Sequence, residues 1–135
     1  MKLLIDANVL LDVLQQREPH VEGSALIWKL CETEAIEGYV SALTIANLVY
    51  VMRKELDGEK IEGVLQTLQL IFQLTELKAV DLTRAAGMRW RDFEDAVQCA
   101  TAQRIHADYI ITRNVRDFQN SKIPAVTPAE FLERF

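Results

Sequence analysis

The chain has 135 residues, half of them hydrophobic, which is enough for one domain over 1–135 with a sizeable buried core, so disorder is not expected. Its net charge of −5 and its pI of about 5.0 argue against a protein that binds nucleic acid through a broad basic surface. They do not exclude a nuclease, because bound divalent cations supply positive charge at such a site.

Cysteine content and the start of the chain indicate the compartment. Cys31 and Cys99 are far apart and belong to no metal-binding spacing, so we expect small buried side chains in a reducing environment. The apolar run before Asp6 is too short for a signal peptide or a membrane span. We therefore expect a cytoplasmic protein with no membrane contact.

The first element is an apolar run, Leu3–Ile5, which is typical of a strand buried on both faces of a parallel sheet. It ends at Asp6, and helical spacing of apolar residues follows from Val9 to Leu14. Asp6 thus lies where a strand ends and a helix begins, the edge at which open α/β sheets bind ligands. Two interpretations remain open for Asp6 or Asn8: an N-cap of the helix, or a ligand of a divalent cation.

Along the rest of the chain, strands and helices alternate. The predicted helices cover about 8–16, 19–36, from a cap at Ser41 or Thr44 to 55, 59–70, 77–87, 92–106 and a last helix after Thr127. Further strands are predicted at 39–40, 71–74, 109–111 and 124–126. Pro19 is expected in the first turn of the second helix, and Gly38 at its end. This alternation predicts a three-layer α/β/α sandwich with a short, mainly parallel sheet of four or five strands.

Polar residues follow two of the predicted strands. Thr112 and Asn114 come directly after the strand at 109–111, as Asp6 and Asn8 follow the first strand. Because the carboxyl ends of parallel strands lie on one edge of a sheet, we expect these side chains to be close together.

The helix that begins near Asp92 brings two more acids. Asp92 and Asp95 are three residues apart and project from one side of its first turn, where they also suit the helix dipole. The apolar residues of this segment, including Phe93, are expected to face the sheet. Asp12 lies one turn after Asn8 and either joins the acids or is a solvated helix carboxylate. Acids gathered at one edge repel one another unless a cation neutralises them, which favours a metal site.

Three segments of the chain together resemble the PIN domain (PilT N-terminus) family. They are LLIDANVLLDVL at the start, VSALTIANLVYVMRK in the middle and DFEDAVQCATAQRIHADYIITRNVRDF near the end. The resemblance implies a single α/β/α domain with clustered acids and a metal-dependent endoribonuclease that uses Mg²⁺ or Mn²⁺. It also implies the toxin of a VapBC-type pair, with RNA as substrate, a small antitoxin as partner and frequently a homodimer.

The resemblance assigns individual positions. Asp6 is similar to the first acid of the family, and Asp95 to the acid of the later helix. Asn47 stands where the middle helix usually has Glu, and Asn114 where Asp often follows the last core strand. Both changes remove a charge and keep an oxygen ligand, which leaves the number of bound metals open.

The candidate site combines the side chains expected at the sheet edge with the positions that the resemblance assigns. Asp92 and Asp117 are candidates to compensate for the missing acids, and Arg113 and Arg116 either contact phosphates or are ordinary surface charges. The expected catalytic residues are Asp6, Asp92, Asp95 and Asp117, of which Asp6, Asp92 and Asp95 also bind metal; the expected supporting residues are Asn8, Asn47, Thr112, Asn114, Arg113 and Arg116.

Two other functions are consistent with parts of this pattern. The Asn residues at 47 and 114 suit a binding module for RNA or an antitoxin that has lost catalysis. A strand that ends in D-x-N-V also resembles the first motif of haloacid-dehalogenase-type phosphotransferases, with Asp6 as nucleophile. Those enzymes need a Lys after a later strand, and Lys122 lies beyond the last core strand. The metal-dependent ribonuclease is the primary prediction.

Overall fold

Five parallel strands form the sheet in the computed structural model, which describes residues 1–135. In chain order they are β1 (Lys2–Ile5), β2 (Glu37–Ser41), β3 (Gln73–Thr75), β4 (Tyr109–Ile111) and β5 (Ala125–Val126). Across the sheet the order is β3-β2-β1-β4-β5, and every neighbouring pair is parallel. The predicted short, mainly parallel sheet is confirmed, with five strands.

Seven α-helices and one short 3-10 helix connect these strands. They are α1 (Ala7–Leu14), α2 (Val21–Glu32), α3 (Ala42–Met52), α4 (Gly58–Ile71), α5 (Ala79–Met88), α6 (Phe93–Arg104), the 3-10 helix Val115–Phe118 and α7 (Pro128–Arg134). None of the helices has the length and hydrophobicity needed to span a bilayer.

The sheet is buried on both faces, and successive strand residues point to opposite faces. Leu3 and Ile5 belong to the larger core, which the helices α1 to α4 and α7 cover, whereas Leu4 and Ile110 pack against α6 and Phe118 on the other face. Helices α5 and α6 pack against each other as the second helical layer. The predicted three-layer α/β/α sandwich is therefore confirmed.

Two predictions about helix α2 are wrong. The helix begins at Val21, and Pro19 lies in the turn before it rather than in its first turn. Gly38 does not end the helix but lies within β2. A Cβ atom there would lie 2.6 Å from the Sγ of Cys31 and 2.8 Å from a ring carbon of Phe72, so glycine permits the close packing of α2 and this strand.

Strand β1 is the point from which the sheet is extended in both directions. Strands β2 and β3 lie on one side of β1, and β4 and β5 on the other. Between β1 and β4 the order therefore reverses, and open α/β sheets bind ligands just outside the strand ends at such a point. The backbone N–H of Asp6 donates to the carbonyl of Ile111 at 2.9 Å, which places Asp6 at this edge.

Candidate active site

Asp6 is the central carboxylate at this edge of the sheet. It caps helix α1, and its Oδ1 accepts a hydrogen bond from the backbone N–H of Ala7 at 2.9 Å. Its Oδ2 accepts from Thr112 Oγ1 at 2.8 Å and from Asn8 Nδ2 at 3.3 Å. Burial raises the pKa of Asp6, although these hydrogen bonds act in the opposite direction. Asp6 thus serves as the predicted helix cap while its charge stays uncompensated.

Asn8 and Thr112 join the loop after β1 to the loop after β4. Asn8 Oδ1 accepts from the backbone N–H of Arg113 at 3.1 Å, and Thr112 Oγ1 accepts from the backbone N–H of Asn114 at 3.0 Å. Both side chains also contact Asp6, so they determine where its carboxylate lies. Asn114 takes part through its backbone, and its residue is exposed.

A buried group of polar side chains, Gln98, Ser41 and Thr44, lies beside Asp6 and was not predicted as part of the site. Gln98 is buried, and its side chain lies near enough to Asp6 to lower the pKa of that carboxyl. Gln98 Oε1 accepts from Ser41 Oγ at 2.6 Å, and Gln98 Nε2 donates to Thr44 Oγ1 at 2.8 Å. Two signals were available: Gln98 lies one helical turn after Asp95, and Ser41 ends a strand as Thr112 follows one.

The start of helix α6 brings further carboxylates to the same place. Asp92 caps this helix by accepting a hydrogen bond from the backbone N–H of Asp95 at 3.1 Å. Asp95 is partly buried, and its pKa rises to about 7. Burial is the main cause, followed by the negative charges of Asp92, Asp6, Asp117 and Glu94. The four predicted acids therefore lie close enough to interact electrostatically.

Glu94 is a carboxylate that the sequence analysis left out. The Nδ2 of Asn47 donates to Glu94 Oε2 at 3.4 Å, so a carboxylate lies beside the middle-helix position that itself lacks an acid. The available signal was its place in D-F-E-D, directly before Asp95. Phe93 is also not where we expected it: its side chain is 49% exposed and does not face the sheet.

Asp12 and Arg113 form a separate pair. Asp12 is fully buried, its Oδ2 accepts from Ser24 Oγ at 3.0 Å, and the Nε of Arg113 lies 3.0 Å from the same oxygen. Asp12 is thus neither part of the Asp6 cluster nor a solvated carboxylate. The side chain of Arg113 is held in this pair, whereas Arg116 lines the same cavity as Asp95.

The arrangement of these acids fits a hard divalent cation. Asp6 and Asp95 are carboxylates whose charged form is disfavoured, and neither has an ion-pair partner. No group of three or more His, Cys, Asp or Glu side chains is close enough to enclose an ion by itself. Mg²⁺ accommodates this, because it keeps several waters and needs only one or two carboxylates.

Comparison with known proteins identifies the family. A model of the PIN domain matches residues 2–116. The chain belongs to the PIN domain family. A search of curated proteins found no significant match.

Solved structures share the fold of this PIN domain at low sequence identity. FitAcB from Neisseria gonorrhoeae is 21% identical, with 94% of this chain and 98% of that chain covered and a TM-score of 0.72. A toxin–antitoxin complex from Klebsiella pneumoniae is 23% identical, with coverage of 93% and 96% and a TM-score of 0.69. VapC20 from Mycobacterium tuberculosis, a toxin that cleaves the sarcin–ricin loop, is 9% identical, with coverage of 80% and 86% and a TM-score of 0.64.

Proposed function

We propose that this PIN domain is a divalent-metal-dependent endoribonuclease and the toxin component of a type II toxin–antitoxin pair. The observation that carries the proposal is the position of Asp95, a partly buried carboxylate surrounded by the charges of four others. The fold shared with a toxin–antitoxin complex and with an RNA-cleaving toxin supports the same function.

The electrostatics of the site support a bound cation. The ion pairs of the chain involve Glu76, Asp81 and Asp12, and none of them involves the acids around Asp95. A carboxylate in that position must either bind a proton or lie beside a positive ion. Asp6, Asp92 and Asp95 would hold Mg²⁺ or Mn²⁺ directly or through water, with Asp117 at the rim of the site.

The cation and the residues around it would have different roles in the cleavage of RNA. A bound divalent cation lowers the pKa of a water molecule and stabilises negative charge on phosphate oxygens. Thr112 and Asn8 hold the carboxylate of Asp6 in place through hydrogen bonds, and the buried Gln98 lies beside it. Asp95, whose pKa is about 7 in the metal-free chain, would be held in its charged form by the cation.

The proposed partners are RNA as substrate, a small antitoxin and a second copy of the chain. An antitoxin is supported by the neighbour that is a toxin–antitoxin complex, and a symmetric dimer is the commonest assembly of soluble proteins. We also propose that the protein works in the cytoplasm, where its two free cysteines, Cys31 and Cys99, stay reduced.

The two other functions have less support. A binding module without catalysis was motivated by Asn47 and Asn114, but the amide of Asn47 contacts the carboxylate of Glu94, so the site keeps an acid there. A phosphotransferase needs a lysine near Asp6. Lys122 is exposed and lines a different cavity, together with Arg84 and Cys99.

A cleavage assay with purified protein tests the proposal. We expect RNA to be cut with Mg²⁺ or Mn²⁺ and to stay intact with EDTA. Asp6→Asn and Asp95→Asn should each lower the rate by roughly 100-fold or more, as does the loss of one key electrostatic group in an active site. Glu133→Gln removes one exposed carboxylate from helix α7 and is the control. Undiminished, metal-independent cleavage by both aspartate variants would contradict the proposal.

A further inference from the structure

An open cavity of about 1130 Å³ lies against the start of helix α6, beside the acids of the proposed site. Four acids, Asp92, Glu94, Asp95 and Asp117, line it together with Arg116 and the segment from Arg89 to Phe93. We call the part formed by Arg89, Trp90, Arg91, Phe93 and Arg116 the arginine cleft. The metal site by itself gives no role to these five residues.

The backbone presents the arginines of the cleft in a defined way. Helix α5 ends at Met88, and the capping residue Arg89 has a left-handed backbone with φ of 59°. The next residue, Trp90, is partly buried and packs edge-on against Phe118, with ring centres 6.1 Å apart and planes at 77°. Arg89 and Arg91 on either side of Trp90 are exposed. Because Phe118 and Arg116 share the 3-10 helix, this aromatic contact joins the two segments that carry the arginines.

The charges of these arginines are not used within the protein. The three ion pairs of the chain are those of Lys78 with Glu76, Arg104 with Asp81 and Arg113 with Asp12. Arg89, Arg91 and Arg116 take part in none of them and make no side-chain hydrogen bond. These three unpaired guanidinium groups line the same cavity as the acids of the proposed metal site, so they offer phosphate contacts beside the place where a cation would offset the carboxylates. Guanidinium groups match phosphate oxygens with two parallel hydrogen bonds.

Phe93 adds a flat apolar surface to this charged cavity. Its side chain is 49% exposed, between Asp92 and Glu94, whereas Phe72, Phe118 and Phe131 are buried. An exposed ring next to free arginines is the combination with which proteins bind single-stranded nucleic acid, because bases stack on the ring. Bases within a duplex are already stacked and cannot reach it.

We propose that the arginine cleft binds an unpaired segment of RNA next to the bond that is cut. One base stacks on Phe93, and Arg89, Arg91 and Arg116 contact the adjoining phosphates. Trp90 is a positioning residue that holds these segments through Phe118. This assignment rests on the proposed nuclease function and specifies the form of RNA that the site takes.

The test measures RNA binding rather than cleavage. Fluorescence anisotropy of a labelled single-stranded RNA of mixed sequence, with Asp95→Asn as the parent protein, gives a Kd without turnover. We expect the parent to bind this strand more tightly than the same sequence as a blunt duplex. Adding Phe93→Ala or Phe93→Leu should weaken binding by roughly 5- to 100-fold, the range for loss of one base–aromatic stack, and Phe93→Trp should restore it. Leu70→Ala removes another exposed apolar side chain, on α4, and should change nothing.

The arginines are tested by the salt dependence of the same Kd. Arg89→Gln with Arg91→Gln should reduce the slope of log K against log salt by about 1.4, since each phosphate contact to a single strand contributes about 0.7. Arg134→Gln on helix α7 is the matched control.

Two results would overturn the assignment: single-stranded RNA binding that Phe93→Ala leaves unchanged, or a duplex bound as tightly as the single strand. If wild type still cuts RNA with metal in either case, only the cleft is wrong. If no RNA is cut while these variants behave as expected, the nuclease proposal fails and the cleft is a surface that binds single-stranded RNA without cleavage.

Discussion

Asp81 and Asp95 lie on the packed helices α5 and α6, and their carboxylates have opposite surroundings. Asp81 is fully buried and accepts two hydrogen bonds from Arg104, at 2.9 and 3.0 Å. Burial raises the pKa of Asp81, but the hydrogen bonds and charge of Arg104 outweigh it, and the net pKa is lowered. Asp95 has no such partner, and its pKa is raised to about 7.

The same contrast holds for Asp12 and Asp6, which lie within helix α1 and at its start, respectively. Asp12 is buried beside Arg113, whereas Asp6 has only hydrogen-bond donors that carry no charge. The chain thus supplies an arginine to carboxylates that belong to its framework and supplies none to those at the strand ends. The proposed cation would supply the charge that the chain does not supply to these acids.

Removing the charge of Asp81 is expected to have the largest effect on stability. Asp81→Asn leaves Arg104 without its anionic partner and should lower the free energy of unfolding by about 3 kcal/mol at neutral pH, as when a buried ion pair is broken. Urea denaturation measures this, with Asp95→Asn as the comparison that should lose nothing. Because the pKa of Asp81 is lowered, the loss should shrink as the pH falls below its usual pKa of 3.8. Equal destabilisation by both variants would contradict the distinction.

Adding a divalent metal should stabilise the folded protein only through the acids of the proposed site, Asp6, Asp92 and Asp95. At a Mn²⁺ concentration of about 100 times Kd, we expect the free energy of unfolding to rise by about 2.7 kcal/mol. For a domain of this size, Tm should then rise by roughly 8 to 10 °C. Differential scanning fluorimetry measures the shift. Asp95→Asn should lose most of it, and Glu133→Gln should keep it. A Tm that does not respond to Mn²⁺ would remove the support for a cation site.

The pH dependence of the metal-free protein isolates Asp95. Its pKa is raised from 3.8 to about 7, so between these values the folded state binds more protons than the unfolded state. Stability therefore falls as the pH rises through this range. Because Asp95 is only partly buried, solvent screening reduces the effect to about 1 to 2 kcal/mol.

The measurement compares wild type with Asp95→Asn in EDTA. The variant should be more stable than wild type at pH 8, and the two should converge near pH 4. A constant difference across this range would show that Asp95 does not titrate as expected.

The smallest expected effect is that of the hydroxyl that holds Asp6. Thr112→Val removes the donor to Asp6 and should cost about 1 kcal/mol of unfolding free energy. It should also raise the pKa of Asp6 further, since this hydrogen bond lowers it. Thr101 is a matched control, because its buried hydroxyl has no hydrogen-bond partner. If Thr101→Val costs as much, the Thr112 hydrogen bond has no special role.

Much of the fold could be predicted from local patterns. The runs at Leu3–Ile5 and at 109–111 are recognisable because strands buried on both faces need unbroken apolar stretches. Their parallel arrangement by itself brings Asp6 and Thr112 to one edge of the sheet. In the structure, Thr112 Oγ1 lies 2.8 Å from Asp6 Oδ2. The caps at Ser41, Asp92 and Thr127 also follow from short-range hydrogen bonding.

The partners of charged side chains could not be predicted in the same way. The spacing of Asp12 allowed two positions, yet it pairs with Arg113, far away in sequence, and this contact depends on how the loop after β4 crosses helix α1. Glu94 and Gln98 reach the site for a similar reason, because the direction of α6 over the sheet decides which of its faces meets Asp6.

The amino-acid order alone thus determined the strands, the helices and the edge at which the acids meet. Which carboxylates are neutralised by an arginine and which stay uncompensated was decided by packing between distant segments, because Coulomb interactions depend on distance and burial and not on spacing along the chain.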